Sequence, residues 1–268
     1  MIRGFYSARS GLIAHQEHMS VMANNLANVN TYGFKPMRTA FTDLMYQNLN
    51  RVRNENVAQT GHGVKINKND IMMNPGALEP TYNRLDFAII DESGFFKVET
   101  QSGAIHYTRA GNFYLSNVDD AYYLVNGNGD FVLDADNERI EVEFNEYTYE
   151  NENILDEDGN VVDTVTRTVS AYPNEEFMMF DPSVIGVFRF ENPWGLDAVH
   201  GNSFVETELS GEATAIENPT LKAGYLERAA VDIANEMANV IEASKAFSFS
   251  SRMVQVADEI EQTINQLR

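Results

Sequence analysis

The side chains able to carry chemistry in this 268-residue chain are few and poorly grouped. His15 and His18 stand three residues apart, a spacing that puts two imidazoles on one helix face where they could share a metal ion. A metal would need further ligands, and the one neighbouring carboxylate, Glu17, falls on a different face. His15 therefore reads as a polar residue tolerated in an apolar seam. His62 lies in the turn Thr60-Gly-His-Gly, His106 in a strand-like run, and His200 before a glycine, so no metal-spaced cluster forms. The absence of cysteine excludes disulfides and thiolate–metal sites. Asn126-Gly-Asn-Gly-Asp opens like a calcium loop, but Phe131 takes the place of the sharp glycine turn and Asn137 that of the closing glutamate. Asp156-Glu-Asp-Gly-Asn fails in the same way. No nucleophile elbow, phosphate loop or dinucleotide fingerprint is present. With 40 acidic residues, paired carboxylates occur everywhere and nominate no glycosidase pair. The expectation is a non-enzyme with no metal, no cofactor and no small-molecule substrate.

One stretch is chemically unusual. Ala23-Asn-Asn-Leu-Ala-Asn-Val-Asn-Thr-Tyr-Gly-Phe-Lys holds four asparagines within seven residues: Asn24, Asn25, Asn28 and Asn30. Asparagine stops helices readily and tolerates the left-handed conformation. Neutral amides can also bond across a packed seam without the desolvation penalty of a charge. The stretch is thus either a helix exit or a polar contact region.

The elements that would position these residues fall into two kinds. Phe5, Ala8, Leu12, His15, Met19, Met22, Leu26 and Val29 recur with alternating spacings of three and four, the pattern of a helix burying a narrow stripe. Ile233, Met237, Val240, Ser244, Phe247, Ser251 and Val254 repeat it, and Ala257, Ile260, Ile264 and Leu267 continue it after one consecutive 3-3 step. Neither glycine nor proline interrupts residues 225–268. Between these ends lie strand-sized runs broken by turns: Leu85–Ile90, Gly94–Glu99, Ile105–Arg109, Tyr122–Val125, Phe131–Leu133, Arg139–Phe144, Val161–Val169 and Val184–Phe190. The fold class expected is α+β, with paired, coiled-coil-like long N- and C-terminal helices and a β-rich antiparallel central domain.

Charge divides the chain in the same way. The net charge is −21. Residues 1–60 carry +3 and residues 219–268 carry −2, which leaves −22 on the stretch between. Such a middle repels phosphate backbones, so nucleic acid is excluded as a partner class, and it keeps an exposed body soluble. No apolar run approaches the roughly 18 residues of a membrane-spanning helix. The N-terminus enters an amphipathic pattern directly, so no cleaved secretory signal is expected.

The asparagine stretch resembles the N-terminal signature of the flagellar rod and hook family. Arg84-Leu-Asp-Phe-Ala-Ile, Gly94-Phe-Phe-Lys-Val and Tyr107-Thr-Arg-Ala-Gly-Asn-Phe resemble that family's entry into its globular domain. Asn192-Pro-Trp-Gly-Leu, Gly201-Asn-Ser-Phe and Thr207-Glu-Leu-Ser-Gly resemble its return path, and Ala223-Gly-Tyr-Leu-Glu-Arg-Ala-Ala-Val-Asp with the last helix its C-terminal signature. The resemblance implies a subunit exported through the flagellar export apparatus that assembles with copies of itself and with neighbouring rod and hook proteins into a hollow, torque-bearing tube. It implies a helical polymerisation domain from 1–34 and 222–268, extended connections at 35–80 and 200–221, and a β-rich outer domain at 81–199. Length and Phe41-Thr-Asp-Leu-Met-Tyr-Gln are most like distal-rod members. The short connection between Tyr46 and Gly61 keeps a proximal-rod subunit as the alternative, with a hook-type subunit behind it and, from another class, an adhesin-like binding module.

On this view the N-terminal side of the assembly interface comprises Leu12, Met19, Asn24, Asn25, Leu26, Asn28, Asn30, Gly33 and Phe34. The C-terminal side comprises Met237, Ile241, Phe247, Val254 and Ile260.

Overall fold

The computed structural model describes residues 2–48, 59–91, 93–119, 121–144, 147–155, 161–169, 178–199 and 202–267. The Asp156–Asn160 turn and His200 lie outside them. The chain forms two compact units, one of residues 1–77 with 228–268, the other of 78–227. The first holds twelve Lys/Arg against ten Asp/Glu, the second seven against thirty, so the first is near neutral at +2 and the second carries −23.

The first unit is built on two helices, α1 (Ile2–Ala27) and α2 (Ile233–Gln266). Asp232 starts α2 by accepting the backbone N–H groups of Ala234 and Asn235 at 3.0 and 3.3 Å, which satisfies donors that have no partner within the helix. Two contacts give the direction of the pair. A Cβ on Gly11 would lie 3.3 Å from the Ser250 hydroxyl, and Asn25 bonds Glu236 at 3.1 Å. Ascent along α1 meets descent along α2, so the helices run antiparallel. Both contacts have residue numbers that sum to 261, which sets Ile2 level with residue 259 and carries the last turns of α2 past the start of α1.

Residues 35–80, rich in Asn, Thr and Gly, carry an antiparallel pair, Met37–Asp43 with Val64–Ile71, bulged between Ala40 and Phe41. This pair lies against α1. Ser10 Oγ accepts the backbone N–H of Val64 at 3.4 Å, and Phe41 meets the His18 ring edge-on, centroids 5.0 Å apart.

The second unit is antiparallel throughout its described strands. Its nine-stranded sheet runs Asp197–Ala198, Ser203–Val205, Ile105–Thr108, Gly94–Glu99, Phe131–Val132, Ala121–Val125 and Tyr114–Val118, with Val187–Arg189 paired to Gly94–Glu99 and Thr214–Ala215 beyond it. Neighbouring residues of a strand face opposite sides of the sheet. Phe95 and Phe96 are both buried, so both faces of Gly94–Glu99 are covered. Phe96 packs with Phe113, Val98 and Val187; Phe95 packs edge-on against Phe190 and Phe204. Of the run expected at Arg139–Phe144, only Glu143–Phe144 pairs as a strand, while Arg139 and Glu141 make single bridges.

A buried ion pair ties this unit together. Arg109 Nε donates to Glu227 Oε2 at 2.7 Å, with both side chains almost wholly enclosed. Its remaining N–H groups reach the carbonyls of Gly94, Ile89 and Asp91 at 2.9, 3.4 and 3.2 Å. A guanidinium in this setting is stable only because its donors are matched. Glu227 closes Tyr225–Glu227, whose pairing with Leu78–Pro80 joins the two ends of the unit, and the ion pair fixes that junction to Arg109 in its body.

Candidate assembly interface

The asparagine stretch is built into the first unit as a polar hub. Asn25 is 1% exposed. Its Nδ2 donates to the Met37 carbonyl at 2.8 Å and to Glu236 Oε1 at 3.1 Å, and its Oδ1 accepts the Met37 N–H at 2.9 Å. A side-chain amide has the same donor–acceptor pairing as a peptide unit, so Asn25 serves Met37 as a strand neighbour would. One residue thereby binds the end of α1, the first residue of a β-strand and the first turn of α2.

The residues around it complete the exit. Asn28 Nδ2 reaches back to the Asn24 carbonyl at 2.9 Å and to Asn24 Oδ1 at 3.1 Å, and Thr31 donates to Asn28 Oδ1 at 3.2 Å. Gly33 turns the chain with φ +66°, the left-handed region that glycine enters without strain. Phe34 is buried, and its carbonyl accepts the Ala230 N–H. Lys35, equally buried, donates to the Asn74 carbonyl at 2.7 Å.

A second polar group lies alongside. His15 and His18 both contact Phe41, and the Nδ1 of each, like Glu236 Oε2, is buried without a hydrogen-bond partner. Burial lowers the His18 pKa, His15 adds to the effect, and Glu236 and Glu242 oppose it. Among the described residues no three His, Asp or Glu side chains gather to hold a metal ion. The arrangement can pack, bond and titrate; it offers no nucleophile–base pair.

The expected interface residues divide by exposure. Leu12, Met19, Leu26 and Asn28 on the N-terminal side are half-buried, Asn25, Gly33 and Phe34 buried, and Asn24 and Asn30 exposed. On α2, Phe247 and Val254 are half-buried, whereas Met237, Ile241 and Ile260 are exposed. The covered stripe of α2 runs through Glu236, Val240, Ala243, Phe247, Ser250 and Val254. Sequence reasoning missed Glu236 and Met37. Only Asp232, a capping residue just ahead of the helix, hinted at Glu236's setting.

Family models match along the chain. The N-terminal one, flagella basal body rod protein, covers residues 5–35. The D1 domain of the flagellar hook protein FlgE/F/G covers 89–163, and the C-terminal model of the flagellar basal body rod FlgEFG proteins covers 222–267. The chain is 33% identical over 283 aligned residues to the flagellar basal-body rod protein FlgG of Bacillus subtilis, with the whole of both chains covered. It is 34% identical to the protein of that name from Borreliella burgdorferi, over all of this chain and 99% of that one. The chain belongs to the flagellar basal-body rod protein family. It is a structural rod subunit of the flagellar basal body, of the distal-rod type, and not an enzyme. A flagellar hook-basal body complex protein, FlhP of Bacillus subtilis, stands further off at 26% identity. The terminal matches contain nearly all of α1, with its asparagine stretch, and the whole of α2, so the family's two end segments are the two helices that meet at Asn25. Among the described residues no helix is long and apolar enough to cross a membrane.

Proposed function

We propose that this rod subunit polymerises through its two terminal helices into a hollow, torque-transmitting tube, with the exposed face of α2 as the principal surface between copies. The observation that carries this reading is the apolar surface left over on α2. Met237, Ile241, Phe249, Met253, Ile260 and Ile264 are all exposed, Phe249 at 64%. Helical spacing sets Phe249, Met253, Ile260 and Ile264 on a face roughly a third of a turn from the stripe that meets α1. A soluble subunit gains nothing by exposing a second apolar stripe, whereas a repeated heterologous contact would bury it on every copy. The last two turns of α2, beyond the reach of α1, add Ile264 and Leu267 to that surface. A coiled-coil-like seam between copies fits the three–four spacing of these residues.

In this reading Asn25, Gly33 and Phe34 shape the subunit, while Asn24 and Asn30 are free to meet a neighbour. The neighbours are further copies and the adjoining rod and hook proteins, reached through the flagellar export apparatus. Replacing Met253 and Ile260 together with aspartate tests it, assayed by sedimentation and negative-stain microscopy of the purified full chain. Loss of tubes or filaments with unchanged helix content is the expected result. Polymers as abundant as those of the parent would sink the role given to this face.

A further inference from the structure

Two loops of the second unit are locked together by hydrogen bonds into a platform whose exposed tips pack against nothing else described in that unit. Asn192 N–H donates to the Ser210 carbonyl at 3.2 Å and Asn192 Nδ2 to the Leu209 carbonyl at 3.0 Å. Thr207 Oγ1 donates to the Gly195 carbonyl at 2.6 Å, and Ser210 Oγ to the Thr207 carbonyl at 2.9 Å. Gly195 lies so close to the other loop that a Cβ there would fall 2.6 Å from the Leu209 carbonyl carbon. Leu196 and Ser210 are buried beneath. Yet the tips of these stiffened loops turn large apolar side chains to water: Trp194 is 68% exposed and Leu209 78%. An exposed tryptophan on a pre-organised backbone has the character of a binding hot spot, because little ordering entropy remains to be lost on contact.

Charge selects the occupant. Residues 190–217 carry six carboxylates and no lysine or arginine, and Glu191, Asp197, Glu208 and Glu212 are exposed around the two tips. A fitting partner is basic. Residues 1–77 of this same chain hold eight Lys/Arg against four Asp/Glu, and the strand pair beside α1 exposes Arg38 and Lys65, with Lys68 held by Asp70 at 2.7 Å. We infer that the Trp194–Leu209 platform docks on the basic strand pair, Met37–Asp43 with Val64–Ile71, of a second copy of the chain. The contact is heterologous, the kind that a helical assembly repeats. It rests on the self-assembly reading and adds to it a contact outside the helices.

Trp194 is the only tryptophan in the chain, so its emission reports on this surface alone. The full-length chain is assembled by raising concentration at physiological ionic strength, pelleted, and compared with the unassembled subunit. Sedimentable polymer should show blue-shifted emission and at least a threefold fall in acrylamide quenching. Polymer in which Trp194 stays as quenchable as in the subunit overturns this contact and leaves self-assembly standing; failure to sediment under any condition overturns both. As a second measurement, Glu208→Lys with Glu212→Lys should raise the critical concentration about tenfold. Adding Arg38→Glu and Lys65→Glu in the same chain should restore it, because the swap re-pairs charges between copies. An unrestored swap would place the basic partner elsewhere and refute the pairing.

Discussion

Replacing Asn25 by alanine should be the most damaging small change in the helical unit. The substitution removes the bonds to the Met37 carbonyl, the Met37 N–H and Glu236 at 2.8, 2.9 and 3.1 Å. It also leaves both backbone groups of Met37 facing an apolar methyl in a site where Asn25 itself is 1% exposed. A buried polar group stripped of its partner costs about 1–3 kcal/mol, and bonds to charged groups sit toward the upper end. Loss of the three together gives about 3–5 kcal/mol, a large part of the 5–15 kcal/mol that folded domains commonly possess. Asn25→Asp tests the same geometry differently. Its carboxylate would face Glu236 and the Met37 carbonyl, two acceptors, so its penalty should exceed that of alanine at neutral pH and shrink in acid as the new group takes up a proton. The assay is urea unfolding of the full chain followed by far-UV circular dichroism, which reports chiefly on α1 and α2. Asn24→Ala is the control: Asn24 is exposed and should shift stability by no more than about 0.5 kcal/mol. If Asn25→Ala falls within about 1 kcal/mol of the parent, beside the Asn24 control, the hub holds nothing together and the argument fails.

Two further outcomes follow from the polar groups already described. Burial, with His15 next to it, lowers the His18 pKa below its ordinary 6.5 despite Glu236 and Glu242. The folded unit therefore prefers neutral imidazole, so its stabilising contribution is complete above 6.5 and is lost as pH falls through the depressed folded value. Chemical denaturation between pH 7.5 and 5 should show that slope in the parent and a flatter one in His18→Gln; equal slopes would remove His18 from the account. In the second unit, Arg109→Met should destabilise by about 3–5 kcal/mol because it removes the cation that balances the Glu227 carboxylate in a closed site. Arg109→Met with Glu227→Leu should recover much of the loss, measured by near-UV dichroism during thermal unfolding, and a double variant as weak as the single would refute the unbalanced-charge explanation.

How much of this was legible beforehand depended on whether the signal was local. The helices could be read because a three–four repeat is a property of consecutive residues, and the strands around Asn126-Gly-Asn-Gly because turn chemistry is local too. The repeat could not say which part of the apolar pattern on α2 meets α1. Met237 and Ile260 belong to the apolar pattern, but the antiparallel register turns Glu236 and Ala243 inward and leaves those two exposed. The hub was visible only as a run of asparagines. Glu236, which gives Asn25 its purpose, stands 211 residues away, and Glu227 stands 118 from Arg109. Composition marked Trp194 as solitary and a family motif marked its loop, yet its exposure follows from hydrogen bonds between loops that no spacing encodes.

The uneven charge can be understood from the exposed apolar side chains of α2. A rod subunit that leaves Met237, Ile241, Phe249 and Met253 in water is prone to associate before it reaches its place. Net charge of one sign suppresses such association, and the second unit's thirty acidic against seven basic residues supply most of it, whereas the first unit's twelve basic against ten acidic residues leave it near neutral. The same charge opposes packing of acidic units from neighbouring copies. That opposition is short-ranged at physiological salt, where the screening length is about 8 Å, and extends to about 30 Å at 0.01 M. Burial of apolar surface is far less sensitive to salt in this range. Assembly of this rod protein should therefore be weakest in dilute buffer and strengthen steeply toward physiological ionic strength, because salt removes the repulsion and leaves the helical contact in place.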